Sequence, residues 1–331
     1  MKTLFRSFYT ACSVLTLTGF ILWTSFTDGL ARDKGESSGS DSTPSKKTGR
    51  ASGKHAALSS DVLSKKDIAY GSDPLQKLDV YYKAGFAAAP VIVFLHPGGW
   101  AMGTKDNSPT FVEFFTGQGC VVVTPDYRLT DKHQFPAGIC DAASAVVWTK
   151  KNIATFGGDE RKILISGHSA GGHMAAMIAY NPEGDWLKET GLKSNDIKVI
   201  GFIGSSGCYD FDSVKYPARE EHIKMLLGSM YPGKWNAAEP VNFASSDDPP
   251  GLIITGDKDG FLNIKNPKTG KATTNADKLA EALAAGGVDH QLVIVPDWDH
   301  GDINEGLPNN PELQATISAF IKKTVAKIEP R

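Results

Sequence analysis

From Lys66 onward the chain alternates short apolar runs with longer stretches of helical character. Gln76 to Tyr82 alternates as a half-buried strand with Leu78, Val80 and Tyr82 on one face, whereas Val91 to Leu95 is apolar throughout, as in a strand covered on both faces. Further strands are expected at Cys120–Thr124, Ile163–Ser166, Val199–Gly204, Leu252–Thr255 and Gln291–Val295. Helices are expected at Pro109–Phe115, with proline in the first turn and Gly117 near the end, and at Pro136–Lys151, Ala276–Ala285 and Pro311–Ile328. Strand followed repeatedly by helix predicts an α/β fold with a mainly parallel sheet and helices on both faces. Ligands of such sheets bind at the carboxyl ends of the strands. His96–Trp100, Ser169, the turn Gly256–Asp259 and His300 all follow apolar strands, so they are expected to meet at one edge.

The first 60 residues have a different pattern. Lys2 and Arg6 precede an apolar stretch from Ala11 to Phe26, and Gly29-Leu30-Ala31 supplies small residues at a cut site, the layout of a secretory signal over residues 1–31. That stretch is interrupted by Ser13, Thr16, Thr18 and Thr24 and falls short of the roughly 20 residues of a bilayer span. A secreted or periplasmic protein is expected, with an uncleaved N-terminal anchor as the alternative. Residues 32–60 are rich in Ser, Gly, Lys and Asp and read as a disordered linker. A single folded domain is then expected over 61–331.

The 331 residues with 41% hydrophobic content are enough for one large α/β core, and a net charge of −2 leaves no electrostatic footprint for nucleic acid. Cys12 lies in the signal. Cys120, Cys140 and Cys208 form no Cys-x-x-Cys pair, and no two histidines have the i, i+4 spacing of a helical zinc site, so neither metal nor cofactor is expected. A bridge between two of the three cysteines stays open in an oxidising compartment.

Gly167-His168-Ser169-Ala170-Gly171 stands between an apolar strand and the helix-forming run Gly172–Ala179. A Gly-x-Ser-x-Gly turn in that setting is a nucleophile elbow: the serine backbone is strained, and the flanking glycines keep clear of the neighbouring strand and helix. Serine is a poor nucleophile at neutral pH and needs a histidine base oriented by a carboxylate. His300 is the best-placed base. His168 is too close to swing onto its neighbour, His173 reads as a packing residue one turn along the helix, and His133, His222 and His290 fall in polar stretches expected to be exposed. The acid lies within Thr255–Gly260, which holds both Asp257 and Asp259.

With these residues in view, the chain resembles the α/β-hydrolase carboxylesterase and lipase group, near its acetyl/feruloyl esterase-like and hormone-sensitive-lipase-like branches. The resemblance runs from Lys66 to the end, outside the loop Gly260–Thr274. It is carried by His96-Pro97-Gly98-Gly99-Trp100, Asp126–Leu129 with Phe135-Pro136-Ala137, Gly157-Gly158-Asp159, the elbow, Gly256–Asp259 and Asp299-His300-Gly301. It implies an eight-stranded sheet and a triad of Ser169, Asp259 and His300, with Asp257 left to form the turn. His96–Trp100 resembles the family's His-Gly-Gly-Gly loop, with Pro97 in place of the first glycine. Since proline has no N–H, the resemblance implies oxyanion donors at Gly98, Gly99 and Ala170. His96 is expected to brace this loop, Asp126 and Asp141 to serve structure, Arg128 being one partner, and Trp100 and Tyr209 to line a pocket.

The function so implied is hydrolysis of small-molecule or carbohydrate esters of short acyl chains. The alternatives are an amide hydrolase of the formamidase type and a non-catalytic binding protein of the same fold. The resemblance makes 61–331 the catalytic domain and 208–248 a cap or pocket-shaping insertion, which carries Lys215, Arg219, Glu220, Glu221, Lys224 and Lys234, a polar set ill suited to fatty chains.

Overall fold

The computed structural model describes residues 58–211, 217–231, 235–260, 263–265 and 272–329. The expected signal and the linker up to residue 57 lie outside them. The strands are β1 (Val62–Ala69), β2 (Lys77–Lys83), β3 (Ala89–Leu95), β4 (Val121–Pro125), β5 (Gly158–His168), β6 (Gly201–Ser205), β7 (Gly251–Gly256), β8 (Asn263–Lys265), β9 (Ala272–Thr274) and β10 (His290–Val295). The α-helices are α1 (Pro109–Gly117), α2 (Ala137–Asn152), α3 (Ala170–Tyr180), α4 (Ser194–Ile197), α5 (Pro217–Leu227), α6 (Asn275–Ala285), α7 (Asp302–Gly306) and α8 (Pro311–Val325).

Eight strands form one sheet in the order β1-β2-β4-β3-β5-β6-β7-β10, and β8 pairs with β9 in a separate hairpin. β1–β2 and β2–β4 pair antiparallel, and every later neighbour pairs parallel. Successive residues of a strand point to opposite faces. Val91, Val93 and Leu95 therefore pack into one core with Ile139, Val146, Met174 and Met177 of α2 and α3. Ile92 and Phe94 pack into the other core with Phe111 and Phe115 of α1 and Ile317 and Phe320 of α8.

The hairpin of β8 and β9 falls in the stretch Gly260–Thr274 expected to be a loop, and two strands of the large sheet also differ from expectation. β1 escapes the apolar pattern because it is an edge strand, mostly exposed along its length. β2 is covered on both faces: Asp79 and Tyr81 are buried on the side opposite Leu78 and Val80, while Tyr82 is only half-buried. Asp79 is tolerated there because Lys105 Nζ lies 3.3 Å away and the Asp67 N–H donates to it.

Asp141, a buried residue of α2, accepts the Arg128 guanidinium at 2.7 and 2.9 Å, the Arg128 N–H at 2.8 Å and the Gln76 amide at 2.7 Å. Asp126 accepts the Lys105 N–H at 2.6 Å. Both carboxylates thus have the structural duties expected of them. Cys120, Cys140 and Cys208 are all buried, and Cys120 and Cys140 are free thiols. No helix among the described residues is long and apolar enough to cross a membrane.

Two histidines sit inside the protein. Burial pushes His96 and His173 down to about 4. The unfolded chain binds protons at both positions below its ordinary value near 6.5, while the native state refuses them until about 4, so their contribution is complete above 6.5 and declines as pH falls through that window. Each should cost about 2 kcal/mol of stability between roughly pH 7 and roughly pH 5. Burial raises Asp248 to about 6, which acts in the opposite sense. The histidine share is therefore a difference: urea unfolding of His173→Asn should lose about 2 kcal/mol less over that interval than the native chain, and equal losses would contradict the assignment.

Candidate active site

β5 ends at His168 and α3 begins at Ala170, so one residue makes the turn. Ser169 makes it with φ of 57° and ψ of −119°. This left-handed conformation is unfavourable for a residue with a side chain and persists only where the surroundings impose it. They do so through contact. A Cβ on Gly171 would stand 2.1 Å from the Leu95 carbonyl oxygen, and one on Gly167 would stand 2.4 Å from the Gly171 carbonyl carbon. Strand, helix and neighbouring loop thus touch backbone to backbone. The Ser169 N–H donates to the Ser205 carbonyl at 2.9 Å, tying the turn to β6 as well.

His300 reaches the serine from the other side of the sheet edge. Its loop leaves β10 through Asp297, another residue of positive φ, and is closed by Asp299, whose carboxylate accepts the Gly301 and Asp302 N–H groups at 2.8 and 3.1 Å. His300 Nε2 lies 3.0 Å from Ser169 Oγ, and Nδ1 lies 2.9 Å from Asp259 Oδ2. Asp259 has no exposed side-chain surface and that of His300 is 14% exposed. A carboxylate only accepts, so Nδ1 carries the proton and Nε2 presents its lone pair to the serine hydroxyl. This is the arrangement in which an imidazole can take the serine proton.

The two candidate acids part clearly. Asp257 is exposed and accepts the Asp297 N–H at 2.7 Å, which fixes the loop carrying the histidine. Asp259 faces the imidazole. The turns that bear them approach so closely that a Cβ on Gly256 would lie 2.0 Å from the Trp298 carbonyl oxygen.

Gly98 and Gly99 lie in the loop leaving β3, the strand beside β5. Their φ values are 136° and 58°, and a Cβ on Gly98 would fall 1.8 Å from the Met102 carbonyl oxygen. Among the described residues, no carbonyl or side chain takes the N–H of Gly98, Gly99 or Ala170, which leaves three donors unspent near the nucleophile turn. His96 braces the loop as expected: its Nδ1–H donates to the Pro97 carbonyl at 2.8 Å, and its ring stacks on Tyr127 at 4.0 Å.

Other residues depart from expectation. Tyr209 is fully buried against Phe202 and serves the core, whereas Trp100, 5% exposed, lines a small cavity with Tyr127, Thr130, Phe135 and Met174, as expected of it. His222 of α5 is half-buried, and its ring covers Gly99 closely enough that a Cβ there would lie 2.9 Å from Nδ1. His168 donates through Nε2 to the His300 carbonyl at 3.0 Å while Asn304 lies 3.3 Å from its Nδ1. His173 is hydrogen-bonded at both nitrogens, to Trp100 and to Ala238. None of these contacts has a signature in residue spacing, because each joins segments remote in sequence.

Residues 78–271 match the family model described as BD-FAE. Esterase LipC of Mycobacterium tuberculosis is 27% identical over 270 residues, covering 78% of this chain and 65% of LipC. Esterase LipQ of the same organism is 28% identical over 207 residues, covering 59% of this chain and 49% of LipQ. The chain therefore spans less than two thirds of the length of either relative. A truncated carbohydrate esterase from gut microbiota superposes with a TM-score of 0.67 at 19% identity, covering 82% of this chain and all of that one. Esterase 2 of Thermogutta terrifontis, phosphonylated by sarin, superposes with a TM-score of 0.65 at 25% identity, covering 82% of this chain and 98% of that one. The family match takes in the glycine loop, the elbow and Asp259 and ends before His300, which joins them through its hydrogen bonds. It spans more than half of the chain, which belongs to the BD-FAE family within the α/β-hydrolase carboxylesterase group.

Proposed function

We propose that this protein hydrolyses carboxylic esters through a covalent acyl-enzyme on Ser169. The observation that carries the reading is the continuous contact from buried Asp259 through His300 to Ser169 Oγ. In this mechanism His300 Nε2 takes the hydroxyl proton as Oγ attacks the ester carbonyl carbon. The resulting oxyanion is held by N–H groups of Gly98, Gly99 and Ala170, and the protonated His300 gives its proton to the departing alkoxide. Water then enters by the same route, with His300 as base, and the carboxylic acid leaves. Asp259 keeps the imidazole in the tautomer required at each step. The esterase relatives support this chemistry, and the Thermogutta esterase, phosphonylated by sarin, supports a test by organophosphonate labelling.

Short acyl groups, including those of carbohydrate esters, are the proposed substrates. On α5 the apolar side chains Ile223, Leu226 and Leu227 turn into the core, while Glu221 faces solvent and Lys224 pairs with Glu220 and Glu221. An extra methylene contributes about 0.8 kcal/mol only where an apolar wall receives it. Those side chains are spent on the core. We also propose export through residues 1–31, supported by the basic, apolar and small-residue order of that segment.

Three outcomes test the reading. Ser169→Ala should keep the fold, lose fluorophosphonate labelling and lower kcat on the order of 10⁶-fold; a loss under about tenfold in purified protein would remove Ser169 from its role. Asp259→Asn should lower kcat by about 10⁴-fold, since an amide favours the wrong tautomer, and Asp257→Asn should cost far less. The opposite ranking would transfer the role to Asp257. For p-nitrophenyl esters, kcat/KM should peak from acetate to butyrate and fall by decanoate, and a rise toward long chains would show that an apolar acyl groove exists.

A further inference from the structure

The glycine loop ends on Trp100, and that residue is held in an unusual way. Its φ of 61° lies in the left-handed region that disfavours a bulky side chain. The Trp100 carbonyl accepts the Thr130 N–H at 2.9 Å, and its indole Nε1–H donates to His173 Nδ1 at 3.1 Å. The two rings meet edge to face at 5.2 Å, with Phe211 against both. His173 is fully buried on α3, and the Ser169 carbonyl accepts its backbone N–H at 3.1 Å. On its other side, Nε2 lies 2.7 Å from the Ala238 carbonyl.

The chemistry of these partners is complementary in one sense only. A carbonyl accepts, so Nε2 must carry the proton, which leaves Nδ1 as a bare lone pair. An indole nitrogen only donates, so it matches that lone pair. Each bond therefore fixes the direction of the other. Through them one side chain joins the helix that carries the nucleophile, the loop that carries Gly98 and Gly99, and the segment around Ala238. A hydrocarbon of similar volume would fill the space and leave a buried indole N–H without an acceptor, so packing alone does not account for a histidine here.

We propose that His173 is a positioning residue for ester hydrolysis: by accepting the Trp100 indole N–H, it holds the glycine loop so that the Gly98 and Gly99 N–H groups point at the developing oxyanion. The inference rests on the ester-hydrolase reading. Oxyanion donors act chiefly on the transition state, so a loosened loop lowers kcat and leaves KM nearly unchanged.

The test uses the full chain and p-nitrophenyl acetate. His173→Leu should lower kcat by about 10²-fold, the scale of one misplaced donor, with KM within about threefold. His173→Asn, whose amide oxygen can stand near the place of Nδ1, should restore most of the loss. Trp100→Phe should lower kcat as far as His173→Leu, and combining them should add little to that loss, because both break the same indole–imidazole bond. A folded His173→Leu with native kcat overturns the proposal. So does an equal loss in the Leu and Asn variants that follows their melting temperatures, which would mark packing alone. If His173→Leu does not fold, Trp100→Phe decides, and native kcat there overturns the proposal. Absence of turnover in the unaltered chain overturns the ester-hydrolase reading separately. The bond is then read directly from the Trp100 indole ¹⁵N–H resonance, which should shift in His173→Asn as the acceptor changes from nitrogen to oxygen; an unmoved resonance overturns the brace.

Discussion

A single backbone contact governs the site: the close approach of Gly171 at the head of α3 to the Leu95 and His96 carbonyls at the end of β3. Any side chain at that position would force the helix away from the strand. With the helix held there, Ser169 has no room for ordinary strand or helix geometry and adopts its positive φ. That conformation raises Oγ at the sheet edge and leaves the Ala170 N–H at a helix start without an intrahelical partner. The same contact sets the glycine loop beside the turn, because His96 is the loop's first residue. The proposed nucleophile and donors are thus aligned by the packing of main chain on main chain.

His300, the proposed base, is secured by different means. β7 and β10 lie side by side, and their exit turns interlock through backbone hydrogen bonds from Asp257 and Lys258 to Val295 and Trp298. Asp257 closes the interlock from outside by accepting the Asp297 N–H, and Asp259 sits inside it against the imidazole. Two carboxylates two residues apart therefore do unlike work because a tight turn sends one to solvent and the other inward. His168 adds a third tie by holding the His300 carbonyl, so the residue next to Ser169 helps to fix His300 through its main chain.

Much of this was legible in the sequence wherever local chemistry determines local shape. The elbow can be read because a strained serine demands small neighbours at fixed offsets, and His300 because a strand-end position narrows the candidates. The choice of Asp259 over Asp257 needed the resemblance, since either aspartate suits a turn by composition. β1 was invisible because an edge strand buries too little to need an apolar pattern. The second buried face of β2 was hidden because Asp79 reads as a solvent position until Lys105 arrives from a distant loop. His222 was misjudged for a related reason, and the hydrogen bonds of His173, buried as expected, went unread. Their partners, Trp100 and Gly99, are brought to them by the fold, and periodicity carries no record of contacts between remote segments.

Pro97 shows how such contacts let the glycine loop vary. A proline in place of glycine loses an N–H, which would matter if that group served the oxyanion. Here its carbonyl is used instead, accepting His96 Nδ1–H, while His96 stacks on Tyr127. Proline fixes its own φ and so stiffens the entry to the turn. The large backbone excursions then fall on Gly98, Gly99 and Trp100, each with positive φ. Rigidity at the entry and the indole bond at the exit bracket two residues that have no side chains to anchor them. A loop built so needs little reorganisation when charge develops on a bound carbonyl, and preorganised donors gain most of their effect from that economy. The histidines at 96 and 173 belong to the same logic: both are buried, held neutral, and spent on fixing the ends of the loop between them.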